Sequence, residues 1–506
     1  MLTYPLDERG EDSLYGYLYH CIKRDIEAGA ISAHEKLPSK RALAKHLGVS
    51  LVTVEGAYAQ LAAEGYVRSE PRRGYFANEL APLVSLKEGS RKRADDLSSG
   101  GTVTDATADV SEPPLIADLT SGAAPLGMFP YALWAKTLRD VLAHEPEQTL
   151  LREPPSLGVL RLREAIAGHL RAFRGLEVGP EQIVVGSGAQ TLYQLVIQLL
   201  GRSSRFAVED PGYTRLTSIY ESNDVCLSQV PLDAQGIDME ALRASGAAVA
   251  HLMPSHQYPT GLVTPISRRY ELLGWATEAS GRYLIEDDYD CEFRLAGRPI
   301  PTMMSIDTDE RVIYANTFSR SLGPAFRIAY AVLPPHLAER FQRDLGFYSC
   351  TVSAMEQLAL AYFIENGHFE RHVNRMRSHY RAVQSELMDA LAASSFGHRL
   401  AVEGADAGLH FVLCIDAPAS EAALAAAARR EGVALTPLSS FRRTSAQLCG
   451  EMPVRESHLA LGPSENSPRR FLVSYAGLDR LAVAPTVEAL ARAFDGQTAG
   501  FWAGRC

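Results

Sequence analysis

The sequence predicts an α/β protein with two folded parts: a small winged helix-turn-helix unit, then a domain with a large, mainly parallel sheet and a smaller C-terminal α/β lobe. Three observations indicate this. Helical spacing followed by a hairpin fills the first 78 residues, an aperiodic polar stretch follows, and beyond residue 120 short apolar runs alternate with helical patterns. We therefore divide the chain into residues 1–78, 79–115, 116–368 and 369–506.

Composition supports a folded protein of about three domains. The 506 residues are 46% hydrophobic, and 60 acidic against 50 basic residues give a net charge of −10. This excludes overall disorder and a generally basic nucleic-acid coat. Seven cysteines lack CxxC or metal-ligand spacing, the chain opens on no basic-then-apolar leader, and its apolar stretches are far shorter than the ~20 residues of a membrane span. We expect a cytoplasmic protein without a metal or membrane site.

The first unit reads as three helices and a hairpin. Leu14, Leu18, Ile22 and Ile26 recur every four residues, which predicts an amphipathic helix. Ser39 is the expected N-cap of a second helix that ends at Gly48, and Ser50 caps a third. Residues 66–76 then form two short strands around a Pro-Arg-Arg-Gly turn, which is the expected wing.

Residues 79–115 are rich in charge, Ser, Gly and Pro, and we expect a flexible linker. The following domain contains six apolar runs that read as strands of the large sheet, at 183–185, 205–208, 247–253, 283–285, 312–314 and 328–333. The C-terminal lobe is predicted from a helix around 376–391 and from strands at 409–415 and 471–475.

Residues 35–77 closely resemble the winged helix of GntR-type regulators, which implies binding to double-stranded operator DNA. In this reading Ser50 and Thr53 meet base edges from the first turn of the third helix. The phosphate contacts expected beside it come from Lys40, Arg41 and Lys45, and from Arg72 and Arg73 on the wing. Residues 34–78 hold seven basic and four acidic residues, a local charge of +3. The alternative is a small helical domain that docks to a protein partner.

Four segments of the large domain resemble fold-type-I aminotransferases that use pyridoxal 5′-phosphate (PLP), as they occur fused to a winged helix in the MocR subfamily of GntR regulators. The segments are GSGAQ at 186–190, DPGY at 210–213, PSHQYPTG at 254–261 and EDDYD at 286–290. By resemblance, Ser187, Gly188 and Ala189 hold a phosphate, Tyr213 stacks on the ring, and His256 belongs to the site loop. Asp287 and Tyr289 then pair with the pyridinium nitrogen and the ring oxygen.

A fifth segment departs from the family at its reactive residue. TFSRSLGPAFR at 317–327 resembles the family's TFSKxLxPxxR, whose lysine forms the covalent link to PLP, but Arg320 occupies that position. A guanidinium stays protonated and cannot serve as the amine nucleophile. No lysine follows Lys136. Ser319 and Arg327 match the family's phosphate-holding positions.

A second departure falls on the late strand at 470–478, where Leu472 takes the place of the family's carboxylate-binding arginine. Strand alternation would place only Arg470 on the same face, so Arg470 is the one candidate to replace it.

These residues leave two arrangements open for the site. Either a PLP-like or other anionic effector binds without a covalent bond, or Arg320 folds inward and pairs with Asp287, since a buried unpaired carboxylate is unfavourable. The leading hypothesis is a homodimeric transcriptional regulator with a catalytically inactive, effector-sensing aminotransferase-like domain. A PLP-dependent aminotransferase with an accessory DNA domain and a ligand-blind dimerisation domain are the alternatives.

Overall fold

The computed structural model contains two compact units, residues 1–110 and 111–506. It describes residues 2–5, 13–70, 73–79, 114–120, 122, 127–295, 300–406, 408–442 and 468–495. Most of the predicted linker and Arg72 of the predicted wing lie outside these residues.

The first unit has the predicted order of three helices and a two-stranded antiparallel hairpin. Its elements are α1 Leu14–Glu27, α2 Lys40–Leu47, α3 Leu51–Ala63, β1 Val67–Glu70 and β2 Gly74–Ala77. The apolar row of α1 packs against α3, and Leu18, Ile22, Val54, Tyr58 and Leu61 are all fully buried. Helical periodicity therefore produces one shared core.

The predicted caps fix where α2 and α3 begin and where α2 ends. The Ser39 Oγ accepts a hydrogen bond from the Ala42 amide at 3.2 Å, and the Ser50 Oγ accepts one from the Thr53 amide at 3.1 Å. Gly48 ends α2 with φ of 68°, a left-handed conformation that glycine adopts without steric penalty. Ser39 thus fixes the start of α2, and Gly48 and Ser50 fix the two ends of the short turn between the helices.

The second unit contains a large sheet and a smaller one, with helices packed around both. Its strands are β3 Ala117–Asp118, β4 Ile183–Gly186, β5 Phe206–Asp210, β6 Leu227–Asp233, β7 Gly236–Ile237, β8 Val249–Leu252, β9 Tyr283–Asp287, β10 Val312–Thr317, β11 Ala329–Val332, β12 Leu400–Glu403, β13 His410–Ile415, β14 Val433–Ala434, β15 Thr436–Pro437 and β16 Arg469–Ser474. Its helices are α4 Tyr131–His144, α5 Glu147–Leu151, α6 Leu160–Arg174, α7 Ala189–Leu200, α8 Thr214–Glu221, α9 Met239–Ala244, α10 Ile266–Thr277, α11 Met303–Ile306, α12 Pro335–Leu345, α13 Ala354–Glu365, α14 His368–Ala393, α15 Glu421–Arg430 and α16 Val483–Asp495.

The eight-stranded sheet has the order β4-β11-β10-β9-β8-β5-β6-β7. Its middle strands β10, β9, β8, β5 and β6 are parallel, whereas β11 runs antiparallel to both of its neighbours and β7 is an antiparallel edge. The mainly parallel sheet predicted from the apolar runs is confirmed. The sequence analysis did not identify β6 and β7.

The smaller lobe is built on the antiparallel sheet β12-β13-β16-β15. Strand β3, which comes first in this unit, pairs with β14 in the lobe, and Leu119 belongs to the lobe's apolar core. A segment that the sequence analysis assigned to the large domain therefore completes the small one. Among the described residues, no helix has the length and apolar character needed to cross a membrane.

Candidate functional site

The exposed start of α3 is the candidate DNA-reading surface. The Ser50 Oγ caps the helix and also lies 2.8 Å from the Thr53 hydroxyl, so each of these two hydroxyls has a partner within the turn. Between them, Val52 has a relative exposure of 74%. The sequence analysis did not single out Val52, because Leu51 and Val54 beside it are also apolar and no local signal distinguishes it.

The basic residues around α3 differ in how free they are. Arg41 and Lys45 are exposed on α2. The Lys40 ammonium binds the Glu55 carboxylate at 3.2 Å and lies 5.5 Å from the centre of the Tyr75 ring. On the wing, Arg73 binds Glu70 at 2.6 Å. Exposed ion pairs of this kind are weak, on the order of 0–1 kcal/mol, and a phosphate can replace the carboxylate.

In the second unit, the candidate site lies at the carboxyl ends of the parallel strands, where ligands bind in open α/β sheets. The turn after β4 begins α7, so the amides of Gly188 and Ala189 lie at a positive helix end. Arg327, on the turn before β11, has φ of 53° and donates from Nη2 to the Ser187 carbonyl at 3.1 Å. A Cβ at Gly188 would lie 2.6 Å from that nitrogen, so only glycine permits this approach.

Residue 319 borders the same strand ends. The Ser319 Oγ lies 2.8 Å from the Thr317 hydroxyl at the end of β10. The structure thus brings Ser187, Gly188 and Arg327 into direct contact and places Ser319 at a neighbouring strand end.

Asp287, the last residue of β9, is 4% exposed and has two neighbours that the sequence analysis missed. The Tyr193 hydroxyl donates to its Oδ2 at 2.5 Å, and the His251 Nε2 lies 3.5 Å from the same oxygen. The His251 Nδ1 in turn lies 2.7 Å from the Tyr220 hydroxyl. Burial raises the pKa of both tyrosines well above the ordinary value, so the two hydroxyls keep their protons.

Three tyrosines flank this carboxylate. The ring centres of Tyr213 and Tyr258 lie 5.6 Å apart, and those of Tyr258 and Tyr289 lie 6.3 Å apart, both pairs edge to face. Of these, Tyr213 and Tyr289 were expected as site residues, and Tyr258 was not.

Arg320 does not pair with Asp287. Its Nη1 donates to the Gly122 carbonyl at 2.7 Å, and its guanidinium carbon lies 5.8 Å from the centre of the Tyr289 ring. Asp287 instead has Tyr193 and His251 as neighbours. Because the buried carboxylate already has polar partners, it does not need Arg320 to offset the cost of its burial. A Cβ at Gly122 would overlap the Arg320 guanidinium, which ties this contact to a glycine.

Two further residues singled out in the sequence analysis, His256 and Arg470, each contact an acidic residue that the analysis did not single out. His256 is 2% exposed, and its Nδ1 lies 2.8 Å from an Asp290 oxygen and 3.2 Å from the Tyr289 hydroxyl. Arg470 lies on β16 with Leu472, and its Nη2 is 3.4 Å from a Glu403 oxygen. Arg470 is therefore engaged in an ion pair of the small lobe.

These residues fit a phosphorylated ring held without a covalent bond. The helix end and Arg327 suit a phosphate, and the buried carboxylate of Asp287 suits a protonated ring nitrogen. Arg320 lies in the segment that resembles the family's lysine motif, and a guanidinium does not supply the amine that a covalent link to PLP needs.

A winged helix and an α/β domain with this site define a DNA-binding transcriptional regulator with an aminotransferase-like domain. Residues 14–76 match the family described as bacterial regulatory proteins of the gntR family, and residues 116–451 match aminotransferase class I and II. The chain belongs to the GntR regulators of the MocR type.

Individual relatives agree with this assignment. The chain is 33% identical to the probable rhizopine catabolism regulatory protein MocR of Rhizobium meliloti, over 86% of this chain and 88% of that protein. It is also 33% identical to the pyridoxine biosynthesis transcriptional regulator PdxR of Corynebacterium glutamicum, over 83% and 87%. The multiple substrate aminotransferase of Thermococcus profundus superposes with a TM-score of 0.63 at 22% identity, covering 77% of this chain and 93% of that one, which shows the shared fold.

Proposed function

We propose that this regulator senses a small anionic effector at the strand ends of its aminotransferase-like domain, without a covalent bond to the effector, and adjusts its binding to operator DNA in response. The observation that carries the proposal is that the residue expected to react with PLP is replaced, whereas the contacts expected to hold a phosphate are kept. Arg320 replaces the amine and is bonded to Gly122, whereas the contact of Arg327 with the turn at Ser187 and Gly188 is in place.

The chemistry of the site favours a phosphorylated nitrogen heterocycle. The amides at the start of α7 and the exposed guanidinium of Arg327 suit a phosphate. Asp287 would accept a hydrogen bond from a protonated ring nitrogen, and the flat faces of Tyr213 and Tyr258 suit a ring. The printed name of the relative PdxR concerns pyridoxine biosynthesis, which supports a PLP-like molecule as the first candidate.

We infer that the domain does not catalyse transamination. The chain has no lysine after Lys136, and an arginine cannot supply the neutral amine that the first covalent step needs. Arg470, the remaining candidate for binding an α-carboxylate, is engaged with Glu403. On this proposal the site lacks the amine that links PLP covalently, and the described residues offer no free arginine at the position that binds the substrate's α-carboxylate.

The DNA side of the proposal assigns phosphate contacts to Lys40, Arg41 and Lys45 and base contacts to the start of α3. We also infer that two copies of the second unit pair. Large apolar side chains are left exposed on it, with relative exposures of 72% for Tyr131, 71% for Leu151 and 76% for Phe347. Native mass spectrometry tests this pairing.

The deciding experiment is the absorption spectrum of the purified protein with and without added PLP, combined with Arg320→Lys. We expect the wild type to bind PLP reversibly, with loss of all PLP on dialysis. Arg320→Lys should give a new absorption band that survives dialysis and is trapped on the lysine by borohydride. Arg340→Lys is the matched control, because Arg340 is an exposed arginine paired with Asp344 in its own helix.

Two results would overturn the proposal. A borohydride-stable pyridoxyl group on the wild type would show a covalent site that Arg320 does not supply. A wild type that binds neither PLP nor pyridoxine 5′-phosphate, together with an unchanged spectrum of Arg320→Lys, would show that the strand ends no longer form a ligand site.

A further inference from the structure

A buried pair of imidazoles joins the two lobes of the second unit. His256 follows β8 of the large sheet, Asp290 follows β9, and His410 is the first residue of β13 in the small sheet. The three residues are 2%, 3% and 4% exposed. The two imidazole ring centres lie 4.2 Å apart, with planes tilted by 35°.

Each imidazole has a partner on one side only. The His256 Nδ1 lies 2.8 Å from the Asp290 Oδ2, and His410 hydrogen-bonds to the backbone of Pro259, whose only polar group is a carbonyl. Both Nε2 atoms are buried, and neither has a hydrogen-bond partner among the residues that the structure describes. An imidazole that donates from Nδ1 carries a lone pair on Nε2, so two lone pairs are buried without a donor.

This is the arrangement that metal-binding histidines have in proteins. A ligating imidazole usually donates its other N–H to a carboxylate or a backbone carbonyl, which fixes the tautomer and orients the ring. Here Asp290 supplies the carboxylate and Pro259 the carbonyl. One ligand atom from each of His256, Asp290 and His410 can be chosen so that all three lie within 4.8 Å of one another.

We propose that His256 and His410 bind a divalent cation of the zinc class through their Nε2 atoms, with Asp290 as the carboxylate that orients His256. Zinc-class ions accept imidazole nitrogen at about 2.1 Å, which places neighbouring tetrahedral ligands about 3.4 Å apart. A cavity of about 10 Å³ that His256 and Asp290 line has room for one water molecule as a further ligand.

The charges around the pair permit a cation. Arg174 and Arg269 also line the cavity, but each is paired with a buried carboxylate, Asp288 at 2.6 Å and Glu286 at 3.4 Å. Arg294 lines the cavity as well, and Arg320 is held by the Gly122 carbonyl.

The test measures Zn²⁺ and Co²⁺ binding to the full chain after removal of metal with a chelator. We expect one cation per chain and, with Co²⁺, a visible absorption band from ligation by two imidazole nitrogens. His256→Asn and His410→Asn should abolish both signals, because asparagine keeps a donor near the Nδ1 position and lacks a group at Nε2. Asp290→Asn should weaken binding about 10–100-fold, as loss of an orienting carboxylate does.

His372→Asn is the matched control. His372 is also a buried histidine, but its Nε2 lies 2.7 Å from the Ser321 carbonyl, so its replacement should leave the stoichiometry at one. Near-ultraviolet circular dichroism checks the folding of every variant, and His410→Gln replaces any His410→Asn protein that does not fold. A folded wild type without the Co²⁺ band, or binding that survives both asparagine variants, overturns the proposal.

Discussion

Removal of the Arg327 guanidinium should weaken effector binding more than any other single change at the phosphate position. Arg327 lies against the turn before α7, with its Nη2 3.1 Å from the Ser187 carbonyl, and its charge is not paired with a carboxylate within the described residues. A hydrogen bond to a charged group contributes about 1.5–3 kcal/mol. Arg327 is exposed, so solvent screening favours the lower half of this range.

The expected result for Arg327→Ala is a dissociation constant for PLP that rises about 10–30-fold, since about 1.4 kcal/mol corresponds to a factor of ten. Arg327→Lys keeps the charge but loses the planar fork, so it should fall between wild type and alanine. Isothermal titration calorimetry at low and at moderate salt measures both effects. Arg340→Ala is the control, because it removes an exposed arginine from the same unit.

DNA affinity gives the second readout of the same variant. The winged helix belongs to the other compact unit, so effector-free binding to operator DNA should be unchanged in Arg327→Ala, whereas the response to PLP should require a correspondingly higher concentration. Fluorescence anisotropy with a labelled operator measures this. A wild-type dissociation constant in Arg327→Ala would refute the assignment of the phosphate position to this turn.

Three further predictions concern the wing, α3 and pH. Replacement of Arg72 and Arg73 by alanine should weaken DNA binding and reduce the log-log salt slope by about 1.8, since each phosphate contact contributes about 0.9; an unchanged slope would exclude the wing from the interface. Val52→Ala should reduce the preference for operator over random DNA, and Thr53→Ala should do the same, because both lie in the first turn of α3; equal specificity ratios in competition assays would contradict this. Burial lowers the pKa of His169 from 6.5 to about 4 in the folded protein. As the pH falls, the unfolded chain therefore protonates at His169 before the folded protein does, and the free energy of unfolding should decrease between pH 6.5 and about 4. His169→Gln should remove part of that slope in urea titrations, and an identical slope would refute it.

Much of the fold was accessible from the sequence because its signals are local. The caps Ser39 and Ser50 and the helix end at Gly48 were predicted from residues a few positions apart, and all three are confirmed. The parallel strands were predicted from apolar runs, but β3 was not found, since two residues carry no periodicity and its partner β14 lies in the other lobe.

The site divides in the same way. The sequence by itself determined the order of the motifs and the presence of Arg320 in the segment that resembles the family's lysine motif, from which we propose that no covalent PLP site forms. It did not determine the neighbours of these residues. Tyr193 lies 94 positions before Asp287 in the chain, and Gly122 lies 198 positions before Arg320.

Only the tertiary structure decided these contacts, as well as the approach of His410 to His256. The physical reason is that these residues lie far apart in the chain and meet only when the elements pack. Strands β8 and β9, for example, are separated by a helix and pair side by side, which brings His251 beside Asp287. Helix and strand periodicities determine which face of an element a side chain occupies. Which side chain it meets there depends on how the elements pack, and Arg320 meets a backbone carbonyl and not the Asp287 carboxylate of one of the two arrangements that the sequence left open.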